Sequence, residues 1–125
     1  MTYDFDVIDS SIDKIIIDYD KIIIFVDGET GKQGKIECTE VFGITNLSMW
    51  DDTHISNVKI DKLEKFENTD FLKQISKAYD DYPYKPINTN SYDLAITLSN
   101  DITFHIYCCD INITECMGMK NDTKR

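Results

Sequence analysis

Arginine is almost missing from this chain. There is one, Arg125, in 125 residues. A site built on a guanidinium fork gripping phosphate or carboxylate is therefore excluded. Lysine and arginine together number 13 against 23 aspartates and glutamates, a formal net charge of −10. Nucleic-acid binding relies on a basic face, so nucleic acid is disfavoured as a partner. Glycine is scarce as well, at five, and no Gly-rich phosphate loop occurs. The G-x-S-x-G, H-E-x-x-H and EF-hand spacings are also missing. No apolar run approaches the roughly 18–20 residues that a membrane helix needs, so no membrane association is expected.

The four cysteines, at 38, 108, 109 and 116, contain no C-x₂-C pair, which argues against a zinc cluster. Cys108 and Cys109 are adjacent and would point to opposite faces of a strand. Residues 1–6 are acidic, without the basic and apolar regions of a secretory signal. These features together lead us to expect a cytoplasmic protein with reduced, structural thiols and no cofactor.

What is present describes an ordinary folded domain. The chain is 42% hydrophobic and 29% charged, typical of a globular protein rather than a disordered one. We expect a single acidic domain over 1–125, with 118–125 as a frayed polar tail. Acidity is uneven: residues 1–30 hold eight carboxylates and two lysines.

The runs 13–19 and 21–27, rich in β-branched residues, read as a hairpin turning at Tyr19-Asp20. Ile15, Ile17 and Tyr19 would share a face. Ile22, Ile24 and Val26 alternate with Ile23 and Phe25, and apolar residues on both faces suggest a strand covered on two sides. Residues 35–45 read as one strand broken at Gly43, and 55–63 as another. Over 68–79 the spacing of Phe71, Leu72, Ile75, Ala78 and Tyr79 predicts a helix capped by Asn68 or Thr69. Pro83 and Pro86 prevent its continuation. Residues 92–99 alternate well, with Tyr92, Leu94, Ile96 and Leu98 on one face. A turn at Asn100-Asp101 leads to a strand over 102–108 with Ile102, Phe104, Ile106 and Cys108 inward, then a last strand over 110–115. The expected class is α+β: a mainly antiparallel sheet of about six to seven strands, curved or split into a sandwich, with one principal helix packed on it.

Three places have the residues for function. Trp50, Asp51, Asp52 and His54 form the densest cluster. Two carboxylates and an imidazole so close together could ligate a divalent metal or do acid–base work. An ordinary turn, with the aspartates bonding nearby amides, accounts for them more simply. A third reading makes Trp50, Asp51 and Asp52 a contact loop for a basic partner. The run Tyr79, Asp80, Asp81 and Tyr82 has the composition of a recognition surface, but equally of a helix end packed down by its aromatics. His105 lies opposite Phe104 and Ile106 on its strand. Cys109, four residues on, would be about 13 Å away, too far to be activated as a nucleophile.

Several stretches, namely IIIDYDKIIIFVD, GITNLSMWDD, FLKQISKAYD and LAITLSNDITFHIYCCDINITE, resemble the YxiG-like group of small bacterial proteins over most of residues 8–115. That group is associated with toxin–immunity loci, so the resemblance implies an immunity-type, non-enzymatic role and carries no catalytic residues with it. The leading expectation is a cytoplasmic partner-binding protein that masks a basic toxin domain. Alternatives are a metal-binding or metal-dependent hydrolytic domain built on Asp51, Asp52 and His54, and a structural or oligomerisation module.

Overall fold

The computed structural model describes residues 2–45, 53–63 and 91–116. These contain nine strands: β1 (Thr2–Tyr3), β2 (Ser11–Asp18), β3 (Lys21–Asp27), β4 (Gln33–Thr39), β5 (Gly43–Thr45), β6 (Ile55–Lys62), β7 (Tyr92–Leu98), β8 (Thr103–Cys108) and β9 (Asp110–Glu115). One sheet runs β1-β9-β4-β3-β2 and the other β5-β8-β7-β6. Every ladder is antiparallel except that of β1 alongside β9.

This architecture corrects the α+β expectation. Among the described residues the protein is all-β, with two sheets and no helix. The single element behind the α+β reading, the helix over 68–79, lies outside the described residues. The strand number rises from six or seven to nine for two local reasons. The run 35–45 is divided between the sheets: β4 ends at Thr39, Glu40 takes a left-handed φ of 53°, and β5 pairs with β8 in the opposite layer. Backbone bonds from Val41 N to Asp20 O and from Phe42 N to Tyr107 O, each 2.8 Å, hold the crossing. The second reason is the two-residue β1, which pairs with β9 at Thr2↔Asn112.

Period-two alternation builds the core. Ile22, Ile24 and Val26 of β3, Ile36 and Cys38 of β4, and Ile111 and Ile113 of β9 face Leu94, Ile96 and Leu98 of β7 and Phe104, Ile106 and Cys108 of β8. Burying each large side chain contributes roughly 1.5–3 kcal/mol. The expected two-sided cover of β3 is incomplete: Ile23 and Phe25 are only half-buried. Ahead of β2, the N-terminal segment lays Phe5 over Gly34, where any Cβ would overlap the ring. Glycine is required there by close approach.

The β7–β8 hairpin closes through three residues, Ser99–Asp101, rather than the expected two. Leu98 N donates to Ile102 O at 2.9 Å, and Asp101 takes φ 70°. This loop places His105 opposite Ala95 and Tyr107 opposite Asp93. A two-residue turn would shift the register by one and change which residues meet.

Candidate functional site

Of the residues expected to carry function, Trp50, Asp51, Asp52, Tyr79, Asp80, Asp81 and Tyr82 lie outside the described residues. His54 is placed. It precedes β6 and bridges to Ser11 at the start of β2. Its Nδ1 pairs with Ser99 Oγ at 2.5 Å, and its Nε2 lies 3.5 Å from Asp9 Oδ1. Both imidazole nitrogens thus face neighbours within the fold. Ser99 N also donates to His54 O at 3.0 Å, so the cluster ties the β7–β8 loop to the start of β6. It resembles a Ser–His–Asp triad in composition only. The Asp9 contact is long for a hydrogen bond, and His54 and Asp9 are 41% and 55% exposed, where solvent screens the charge that a triad depends on.

Beside His54 an open concavity of about 680 Å³ is lined by Asp9, Ser11, Asp27, Gly28, Glu29 and His54. Three carboxylates give it a negative potential. Among the described residues no group of three or more His, Cys, Asp or Glu side chains is arranged to hold a metal ion.

The second histidine has a partner that sequence reading missed. His105 Nδ1 lies 2.8 Å from Asp93 Oδ1, and its ring stacks on Tyr107 at 5.8 Å and 6°. The pair sits on the face of its sheet away from the inter-sheet core, with Phe42 6.3 Å from the Tyr107 ring. His105 N also donates to Thr45 Oγ1 at 3.2 Å, tying β8 to the edge strand β5. The combination orients an imidazole and fastens three strands.

The thiols occupy two environments. Cys38 and Cys108, from opposite sheets, are fully buried and hydrogen-bonded to each other. That bond and then burial push the Cys108 thiol well above its ordinary pKa, which makes it a poor nucleophile. Cys109 and Cys116 are half-buried.

The feature with the clearest capacity for recognition is the β2–β3 hairpin. β2 is the end strand of its sheet. Its first part is covered, because Ile12 N donates to Thr53 O at 2.8 Å, and a bulge follows between Ile12 and Lys14. Beyond the bulge, Ile16 is 42% exposed, Ile17 54% and Tyr19 96%. Asp13, Asp18 and Asp20 are exposed among them. Of the hairpin's own two lysines, Lys14 lies over the Phe25 ring at 5.0 Å. Lys21 pairs with Glu37 at 2.8 Å, which raises the lysine pKa and lowers that of the carboxyl. Clustered exposed apolar side chains mark contact surfaces more often than scattered ones do.

Among the described residues, fold and surface together define two β-sheets packed on a shared core, with an acidic, apolar-studded edge. No family model, curated protein or solved structure matches the chain. Among the described residues no helix is long and apolar enough to cross a membrane.

Proposed function

We propose that this protein is a non-enzymatic, cytoplasmic partner-binding protein of immunity type, whose acidic surface masks a basic domain of another protein. The observation that carries this reading is the β2–β3 hairpin, where Ile16, Ile17 and Tyr19 are exposed beside Asp13, Asp18 and Asp20. Apolar side chains supply contact area for such a complex, and aspartates around them select a cationic partner and speed its encounter. The net charge of −10 extends the same preference over the molecule. The likeness of the sequence to the YxiG-like group supports the immunity role.

Co-expression with the protein encoded beside it provides the test. The expected result is a stoichiometric complex that survives purification at low salt and is lost in the double variant Asp18→Lys, Asp20→Lys. Failure to form a complex, or a complex indifferent to that charge reversal, would overturn the proposal.

A further inference from the structure

The free edge of β2 has a specific geometry. Asp18 and Lys21 close the two-residue turn Tyr19-Asp20, and the residues closing such a turn exchange both backbone bonds. Counting back along the ladder, Ile16 and Lys14 direct their N–H and C=O groups at Ile23 and Phe25 of β3. Those of Ile15 and Ile17 consequently point away from the sheet. The covered part of the strand agrees with this count. Ile12 N and Ser10 O bond outward to Thr53 and Ile55, and the one-residue bulge after Ile12 moves the outward positions from even to odd numbers. Natural sheets blunt their edges by shortening the strand or covering it. The opposite edge, β1, is only two residues long, whereas β2 past its bulge is not short, and among the described residues nothing pairs with its outer side.

Tyr19 adds a second, independent observation. It occupies the first central position of the turn with φ 57°, where primed hairpin turns favour glycine or asparagine. Its side chain is 96% exposed, so packing within the fold gives no reason for the backbone strain. Strain retained without a structural return points to function.

We propose that β2 is a docking edge for β-strand addition, and that its occupant is an extended, lysine- or arginine-bearing segment of a protein partner. The added strand would take up the outward N–H and C=O groups of Ile15 and Ile17, as in other cases of strand addition. Its side chains on one face would lie against Ile17 and on the other against Ile16, with Tyr19 closing over its end. Cations on the segment would meet Asp13, Asp18 and Asp20. A second copy of this chain is disfavoured as the occupant because it would bring the same aspartates to the same edge. The inference rests on the partner-binding reading above and adds its mode.

The test uses the full chain and a synthetic peptide of about eight residues alternating lysine and valine. Three controls accompany it: the same peptide N-methylated along one edge, a glutamate–valine counterpart, and the protein variants Ile17→Pro and Tyr19→Gly. Binding of the lysine peptide should slow hydrogen exchange at the Ile15 and Ile17 amides and leave the already bonded Ile16 amide unchanged. N-methylation and Ile17→Pro, which remove strand bonds without altering charge, should each weaken binding roughly tenfold or more. Tyr19→Gly should weaken binding while raising the melting temperature, the opposite of what a purely structural tyrosine would do. The glutamate peptide should not bind. Strand addition is overturned if the N-methylated peptide binds equally well, or if protection appears away from Ile15 and Ile17. In that event the acidic partner-binding reading still stands. If neither cationic peptide binds and the complex with the protein encoded beside it also fails to form, both readings fall.

Discussion

Ile17 and Ile22 face each other across the β2–β3 ladder, on the same side of the sheet, yet Ile22 is fully buried and Ile17 is 54% exposed. Cross-strand partners ordinarily share an environment. Here the opposing sheet covers β3 and stops short of the tip of β2, so one residue serves the core and the other meets solvent. Ile22→Ala should cost about 2–5 kcal/mol, the loss expected for a buried aliphatic. Ile17→Ser should cost under about 1 kcal/mol. Urea unfolding of the two variants measures the contrast. Similar losses at both positions would mean that the hairpin tip belongs to the core.

Phe5 and Gly34 make a second pair. The ring occupies the space a Cβ at position 34 would need. Gly34→Ala should destabilise by about 1–3 kcal/mol through overpacking. Adding Phe5→Ala should return part of that loss, because the obstructing ring is gone. A double-mutant cycle with no coupling would show that the N-terminal segment does not press on β4 in solution.

For the thiols the expectation is kinetic. An aromatic disulfide reagent should label the half-buried Cys109 and Cys116 of the native protein first. Cys38 and Cys108, buried between the sheets with the Cys108 thiol pushed up by its bond to Cys38, should react roughly tenfold more slowly or worse. In denaturant all four should react together. Mass spectrometry of the labelled peptides distinguishes the sites, and equal native rates would place the inter-sheet pair in reach of solvent.

The Lys21–Glu37 pair gives a pH signature. Its hydrogen bond with Lys21 holds the Glu37 carboxyl below its ordinary value. The folded-state pKa is thus lower than the unfolded one. The resulting stabilisation is present above the usual carboxylate range and is lost as pH falls through the folded value. The pair is open to solvent, so the effect is small and screened by salt. The wild-type urea midpoint should fall on acidification somewhat more steeply than that of Glu37→Gln. Parallel curves would mean that the pair contributes nothing.

Much of the sandwich can be read from alternation alone. β3, β7, β8 and β9 lie where period two places them, and Leu94, Ile96, Leu98, Phe104, Ile106 and Cys108 are inward as expected. The pattern fails where the controlling feature is a single backbone angle. Glu40 at φ 53° sends the chain to the other sheet, whereas the sequence places the break in 35–45 at Gly43. Asp101 at φ 70° sets the three-residue loop and hence the register in which Asp93 meets His105, a pair invisible without that register. The status of β2 as an edge could not be seen either. Its sequence reads as one arm of a hairpin with Ile15, Ile17 and Tyr19 on a shared face, and only the sheet order reveals that Ile16 and Ile17 are uncovered. The candidate surface was legible as a hairpin with its turn at Tyr19-Asp20, but its exposure was not.

The most direct measurement is the association rate of this protein with the lysine–valine peptide, followed by stopped-flow fluorescence across ionic strength. An acidic docking edge steers a cationic partner over distances that salt screens. The wild-type rate should fall roughly tenfold or more between about 50 and 500 mM salt. The double variant Asp18→Lys, Asp20→Lys should associate slowly at every salt concentration. A rate insensitive to salt, or one unchanged by reversing those two charges, would contradict the assignment of this hairpin as the binding surface.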